Sequence, residues 1–168
     1  MRDHHYRARL EWTGAKHGAT RSYAAYSREY RVDFEGKPSL QGSADPVFRG
    51  DAALHNPEDL LVAAVSTCHM LSYLALCARE GIAVIAYRDE ATATMTEEQG
   101  SGRFTSALLR PEVTLDPATD GAKLARAEQL HDVAREQCFI ANSVNFPVEH
   151  EPVVRRGEMP GVPVEAGV

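Results

Sequence analysis

Basic charge, cysteine and any apolar run at the N-terminus are all scarce in this chain, and each shortage excludes something. Its 18 Lys and Arg are outnumbered by 24 Asp and Glu, for a net charge of −6. The overall field therefore repels nucleic acid and anionic membrane surfaces. Three cysteines, Cys68, Cys77 and Cys138, form an odd, widely spaced set with no Cys-x-x-Cys. That is too few for a secreted disulfide scaffold and fits a reducing compartment. No apolar stretch follows the charges of Met1-Arg2-Asp3-His4-His5, so no secretory signal is expected and the protein is expected in the cytoplasm. There is no internal repeat.

What is present is ordinary globular composition, with 43% hydrophobic and 25% charged residues in 168. That length suits one domain with a real core better than two. We expect a single domain over residues 1–154 and a flexible tail at 155–168, where two Pro and three Gly fall within 14 residues.

Tyr6, Ala8, Leu10 and Trp12 alternate with Arg7, Arg9 and Glu11, the period-two pattern of a half-buried strand. A turn is expected at Gly14–Gly18, two short strands at Arg21–Tyr26 and at Tyr30, Val32 and Phe34, and an irregular loop at Ser39–His55. Asn56-Pro57-Glu58-Asp59 combines an N-cap, a first-turn proline and two acids that complement the helix dipole. The helix it starts runs to about Glu80, with Gly81 as its stop. Leu60–Ala78 is apolar for almost its whole length and long enough to weigh as a membrane span. Ser66, Thr67, His69, Ser72 and Tyr73 interrupt it, and the flanking strands need a shared core, so a central buried helix is the expectation. Ile82–Thr96 and Arg103–Leu115, joined through Gly100-Ser101-Gly102, predict a hairpin. Thr119 or Asp120 caps a second helix through about Glu136, and Phe146–Val154 supplies a last strand. This order of elements indicates an α+β fold with a mainly antiparallel sheet.

The cysteines carry the chemistry. Cys68 and Cys77 lie nine residues apart on one helix, about 13.5 Å of rise, and a disulfide spans roughly 7 Å between Cα atoms. An intramolecular pair is therefore Cys68 with Cys138 or Cys77 with Cys138. Cys77, among Leu74, Leu76 and Ala78, reads as a small core hydrophobe. Cys68 in Ser66-Thr67-Cys68-His69 and Cys138 in Arg135-Glu136-Gln137-Cys138 have polar company. A reactive Cys68 must be a thiolate, and burial opposes that. It sits about eleven residues into the helix, beyond reach of the dipole, and His69 points about 100° away. An arginine from another segment, Arg28 or Arg49, is the candidate cation.

The run Asn56-Pro57-Glu58-Asp59-Leu60-Leu61-Val62-Ala63-Ala64-Val65-Ser66-Thr67-Cys68-His69 is followed about 70 residues later by Cys138-Phe139-Ile140-Ala141-Asn142-Ser143. Together they closely resemble the OsmC/Ohr family of osmotically inducible and organic hydroperoxide resistance proteins, with coverage from Tyr6 to about Val154. The resemblance implies the OsmC-like fold: mainly antiparallel sheets around a long apolar central helix, in an intertwined homodimer with active sites at the subunit interface. It also implies a thiol peroxidase of oxidative stress defence that reduces organic hydroperoxides and, more slowly, hydrogen peroxide.

By similarity Cys68 is the peroxidatic cysteine, Cys138 the resolving cysteine, and Glu58 the glutamate that pairs with an arginine beside the thiol. Arg28 and Arg49 both stand for that arginine, because Ser39–His55 differs in length from better-known branches. The implied chemistry is a Cys68 sulfenic acid that condenses with Cys138 to a disulfide. An external dithiol, a lipoyl protein or a small dithiol, then restores the thiols. Sulfur carries both electrons, so no metal, flavin or haem cofactor is expected. Glu58 and Cys68 are about 15 Å apart along one helix, so Glu58 serves the partner's site or the helix bends. Two other readings are a metal site built from Cys68, His69, His131 and Cys138 and a non-enzymatic protein binding a small apolar ligand on the same fold. His4, His5, His55 and His150 are expected to be solvated.

Overall fold

The alternation at Tyr6–Trp12 becomes a strand over Arg9–Trp12 (β1) in a computed structural model that describes residues 2–158. The chain divides into two compact units, Met1–Leu61 and Val62–Val168. In the first, β1 pairs antiparallel with β2 (Tyr30–Asp33), and β2 with β3 (Leu40–Gly42). Val32 faces Leu10 on one side and Leu40 on the other. The strand expected at Arg21–Tyr26 is not formed. That segment is bends and turns, and the carbonyls of Tyr23 and Tyr26 accept from the Arg28 guanidinium rather than from a neighbouring strand.

The expected loop Ser39–His55 holds β3 and a 3₁₀ turn at Pro46–Phe48, capped by the Asp45 carboxylate, which accepts from the Val47 N–H at 2.8 Å. Its closure depends on a missing side chain. A Cβ on Gly50 would lie 1.5 Å from the Ala44 carbonyl oxygen, so only glycine lets the chain pass there. The Gly50 N–H then reaches the Asp45 carbonyl at 3.0 Å, and the Asp51 N–H reaches Ser43 Oγ at 3.1 Å. Asp45 also accepts from Asn56 Nδ2 at 3.2 Å, tying this loop to the start of helix α1 (Pro57–Arg79). The helix start itself is a reciprocal cap. The Asp59 N–H donates to Asn56 Oδ1 at 2.7 Å and the Asn56 N–H to Asp59 Oδ2 at 3.2 Å. No buried apolar cluster lies among the described residues of this unit, and Leu10 and Val47 are 69% and 79% exposed.

In the second unit, the expected hairpin is present with each arm broken once. Its inner halves, β4 (Val84–Asp89) and β7 (Pro111–Leu115), pair in one sheet, and its outer halves, β5 (Thr92–Glu98) and β6 (Ser101–Leu109), pair in another. The connection is Gln99-Gly100, with φ of 54° and 78°, the pair of left-handed residues that a tight two-residue hairpin turn requires. It falls one residue earlier than expected.

Helix α2 (Gly121–Gln137) is capped by Asp120, which accepts from the Lys123 N–H at 2.8 Å. The last strand is also two, β8 (Val148–His150) and β9 (Val153–Arg156), because Pro152 between them cannot donate to a ladder. β8 joins β6 and β9 joins β7, both parallel, giving sheet orders β5-β6-β8 and β4-β7-β9. Antiparallel pairing still dominates the α+β fold. β9 takes Arg155 and Arg156 out of the expected tail, and residues 159–168 of that tail lie outside the described residues.

The main core sets Tyr73, Leu76 and Cys77 of α1 against Ala127, Leu130 and Ala134 of α2, with Ile82, Val113 and Leu115 beneath. A second cluster gathers Val65, Ala107, Leu109 and Val148 with Ile140, Ala141 and Phe146. The expectation of a buried central helix is met on one face only. Just 28% of the apolar stretch of α1 is buried, and Ala63, Thr67, Leu71 and Ala75 form an exposed i, i+4 stripe.

Asn56→Ala removes one half of the reciprocal cap and the tie to Asp45. A loss of about 1–2 kcal/mol is expected, read as a lower urea midpoint.

Candidate functional site

Cys68 stands in the middle of α1, and Cys138 is the residue at which α2 ends, its ψ of 106° leaving the helical region. The two helices run antiparallel, since Cys68 meets Cys138 while Tyr73 meets His131. After Cys138 the chain doubles back at once. The Asn142 N–H donates to the Cys138 carbonyl at 3.0 Å, Ser143 Oγ to the Phe139 carbonyl at 2.7 Å, and Asn142 Nδ2 to the Glu136 carbonyl at 2.8 Å. Ile140 and Ala141 pack into the second core cluster. The motif Cys-Phe-Ile-Ala-Asn-Ser is thus a closed turn that holds the Cys138 sulfur inward, where the Ala141 N–H donates to it at 3.4 Å.

The two sulfurs are neighbours and unlike. Cys138 is fully buried, and burial first and the neighbouring Cys68 thiol second push its pKa up to about 11. Cys68 is only partly buried, so it is the sulfur that solvent can reach. Cys77 is buried in the main core beside Tyr73, its pKa raised by burial, and takes no part in the pair.

The other expected site residues belong to the first unit. Glu58 is in the first turn of α1, ten residues along the helix from Cys68, which is about 15 Å. The Tyr30 hydroxyl is near Glu58 and Asp59, and burial followed by these two negative charges raises its pKa. Arg28 is held in place. Its guanidinium donates to the carbonyls of Tyr23 and Tyr26 and lies 4.7 and 3.9 Å from the centroids of their rings, a cation–π cradle. Arg49 closes the 3₁₀ turn in a left-handed conformation (φ 67°) and is exposed. Among the described residues its guanidinium has no hydrogen bond or ion pair.

Beside the thiols lies a group of histidines whose arrangement the sequence did not announce. His69 Nε2 and His131 Nδ1 are 3.0 Å apart and fully enclosed, with their rings 13° from parallel. Tyr73 stacks on His131 at 3.9 Å, and His150 lies 5.5 Å from His69 and 6.1 Å from His131. His150 Nε2 meets Asp132 Oδ1 at 3.2 Å. The expectation that His150 is solvated is wrong, as its side chain is only 12% exposed. The strand alternation of Val148-Glu149-His150 turns it to the same side as buried Val148. For His131 the available signal was its spacing from Ala127 and Ala134 on one helix face.

Burial first and the charge of His150 second lower the His69 pKa to about 4, against a smaller opposing effect of Asp89. Burial, then His69, then His150 lower that of His131 to about 3. Both are neutral at pH 7, so one ring donates and the other accepts. The metal reading of Cys68, His69, His131 and Cys138 loses its geometry here. The imidazoles bond to each other, and among the described residues no three His, Cys, Asp or Glu side chains are grouped to hold an ion.

A family profile described as OsmC-like protein matches residues 50–152. A solved structure of an OsmC-like protein of unknown function from Vibrio cholerae O1 biovar eltor is 30% identical, with a TM-score of 0.78 over 90% of this chain and 100% of that one. An organic hydroperoxide resistance protein from Elizabethkingia anophelis, 17% identical, shares the fold with a TM-score of 0.62 over 93% and 100% of the two chains. The uncharacterised protein YmaD of Bacillus subtilis is 22% identical over 149 residues, 89% of this chain and 92% of its own length.

The histidine pair has a consequence for stability. As pH falls below the unfolded-chain value near 6.5, the unfolded protein takes up protons that the folded one refuses. Stability is therefore full above that pH and declines below it, by about 1.4 kcal/mol per pH unit for each imidazole. Urea unfolding at pH 7.5, 6 and 5 is expected to show a falling midpoint, and His131→Phe a slope smaller by about one proton.

Proposed function

The chain belongs to the OsmC-like family, and from that footing we propose that it is a thiol peroxidase reducing organic hydroperoxides, and hydrogen peroxide more slowly, through Cys68 and Cys138. The observation that carries this reading is the asymmetry of the neighbouring thiols: one partly exposed, the other enclosed with its pKa raised. The Cys68 thiolate attacks the terminal oxygen of the hydroperoxide, the O–O bond breaks, and the alkoxide leaves to be protonated by water. The sulfenic acid on Cys68 then meets Cys138. The S–S bond forms as the S–O bond breaks, and the proton kept on Cys138 joins the departing hydroxide as water. The raised pKa of Cys138 keeps it from competing with Cys68 for the hydroperoxide, and Cys138 gives up its proton to the departing hydroxide as it attacks the sulfenic sulfur. An external dithiol, a lipoyl protein or a small dithiol in a reducing cytoplasm, returns both sulfurs to thiols. The name borne by the Elizabethkingia structure, organic hydroperoxide resistance protein, supports the substrate class.

Of the two candidate arginines, Arg28 suits the role of keeping Cys68 ionised. Its guanidinium is fixed by two carbonyls and two aromatic rings, with N–H groups to spare for a carboxylate and a sulfur. Glu58 then acts in the site of a second copy. Homodimerisation is supported by two uncovered surfaces, the Ala63–Thr67–Leu71–Ala75 stripe of α1 and the sheet of the first unit with its exposed Leu10 and Trp12. A three-stranded sheet without a covered apolar face is not stable alone.

Cumene hydroperoxide consumption with excess dithiothreitol tests the proposal. Cys68→Ser is expected to abolish it, and a Cys68→Ser protein with the wild-type rate would overturn it. Cys138→Ser is expected to keep the first oxidation and stop at the sulfenic acid, trapped by dimedone. Arg28→Ala should lower the rate of thiol oxidation about 100-fold, and Arg49→Ala should leave it within about twofold.

A further inference from the structure

Cys138 sits in a segment bracketed by histidines. His131 precedes it by two turns of α2, and His150 opens to the interior from β8 after the turn that follows it. Both rings lie against His69, the residue next to Cys68. Arg135 Nε adds a bond to the Val148 carbonyl at 3.0 Å, and Asp132 binds His150, so α2 and β8 are tied at the same level. At its other end α2 is tied at the surface to the residues just past α1, Arg126 to Glu80 at 2.7 and 2.8 Å and Lys123 Nζ to the Gly81 carbonyl at 2.8 Å, so near Cys138 the histidine layer is the polar tie between α2 and α1 among the described residues. Ala127 and Ala134 flank Leu130, and small side chains offer no deep notch. A slip of one turn would carry Cys138 about 5.4 Å along the axis, out of range for a bond that tolerates only a narrow spread of Cα separations.

Energetics also sets this layer apart. His131 keeps one hydrogen bond, to His69, and its buried Nε2 has no partner among the described residues. An apolar side chain of the same volume would pack there at lower desolvation cost. A buried polar pair that can be satisfied in one alignment only specifies that alignment, because any other leaves both rings unpaired.

We infer that the His69–His131–His150 layer is a positioning element: it sets the register of α2 on α1 and so holds Cys138 within bonding distance of Cys68. Its place in catalysis rests on the peroxidase reading, but the register effect itself is a property of the two thiols and can be read without any hydroperoxide.

The test is the equilibrium between the thiol pair and dithiothreitol at pH 7. Cys68 and Cys138 lose two electrons and two protons to oxidised dithiothreitol, forming one disulfide and leaving two dithiothreitol thiols. The full chain is used, with native packing checked by near-UV circular dichroism. His131→Phe keeps the ring stack and removes the hydrogen bond, and is expected to make the disulfide about tenfold easier to reduce, which is about 30 mV in a two-electron couple. His131→Asn places an amide where Nδ1 was, and His69→Gln places one where Nε2 was; each is expected to recover most of the loss. Should His131→Phe fail to fold, His150→Gln decides, with an expected shift of about threefold. An unchanged equilibrium in the folded His131→Phe protein, or in His150→Gln, overturns the inference, as does failure of His131→Asn to recover more than a core substitution would. A wild-type protein that forms no Cys68–Cys138 disulfide in oxidised dithiothreitol also overturns it. A protein that equilibrates as expected and shows the variant shifts, yet consumes no cumene hydroperoxide, upholds the register role while the peroxidase reading fails.

Discussion

The antiparallel seating of α2 on α1 is the constraint from which the rest follows. It brings the end of one helix to the middle of the other, so that residues separated by 70 positions in sequence become neighbours. Much of the second unit serves this seating: Tyr73, Leu76 and Cys77 pack on Ala127, Leu130 and Ala134, and β4, β7 and β9 support them from beneath. Were the helices held by apolar contacts alone, the interface would be stable but poorly indexed. The imidazole pair adds the index at a cost in desolvation, which is the usual trade between stability and uniqueness in a protein interior.

Unequal environments then distinguish two chemically identical groups. Cys138, enclosed, and Cys68, partly buried, differ because one lies at a buried helix end and the other on a partly open helix face. Burial is what raises the Cys138 pKa, and the same effect keeps the two neighbouring imidazoles neutral. The two imidazoles beside the thiols are thus uncharged at neutral pH, with His150 and Asp89 acting on His69 in opposite directions.

Local signals carried a large part of the fold. Asn56-Pro57-Glu58-Asp59 announced a helix start, and the observed cap uses Asn56 and Asp59 as donor and acceptor in both directions. Asp120 likewise caps α2. Where local reading went astray, longer-range contacts had decided. Arg21–Tyr26 has strand-forming residues, but Arg28 competes for its carbonyls. The hairpin arms and the last strand each appear as one run in sequence, whereas Glu90-Ala91, Arg110 and Glu151-Pro152 divide them between two sheets. Arg155 and Arg156, taken for tail, pair with Thr114 and Leu115.

By itself the sequence determined which residues could do chemistry and which could not pair. Helical spacing excluded a bond between Cys68 and Cys77, and apolar company marked Cys77 as core. Only the tertiary structure set Cys138 beside Cys68, because helix geometry says nothing about which distant chain end will be laid against which face. It also turned His150 inward and joined His69 to His131. Those contacts arise from the packing of α1, α2 and β8 together, and His69 and His150 lie 81 positions apart in the sequence.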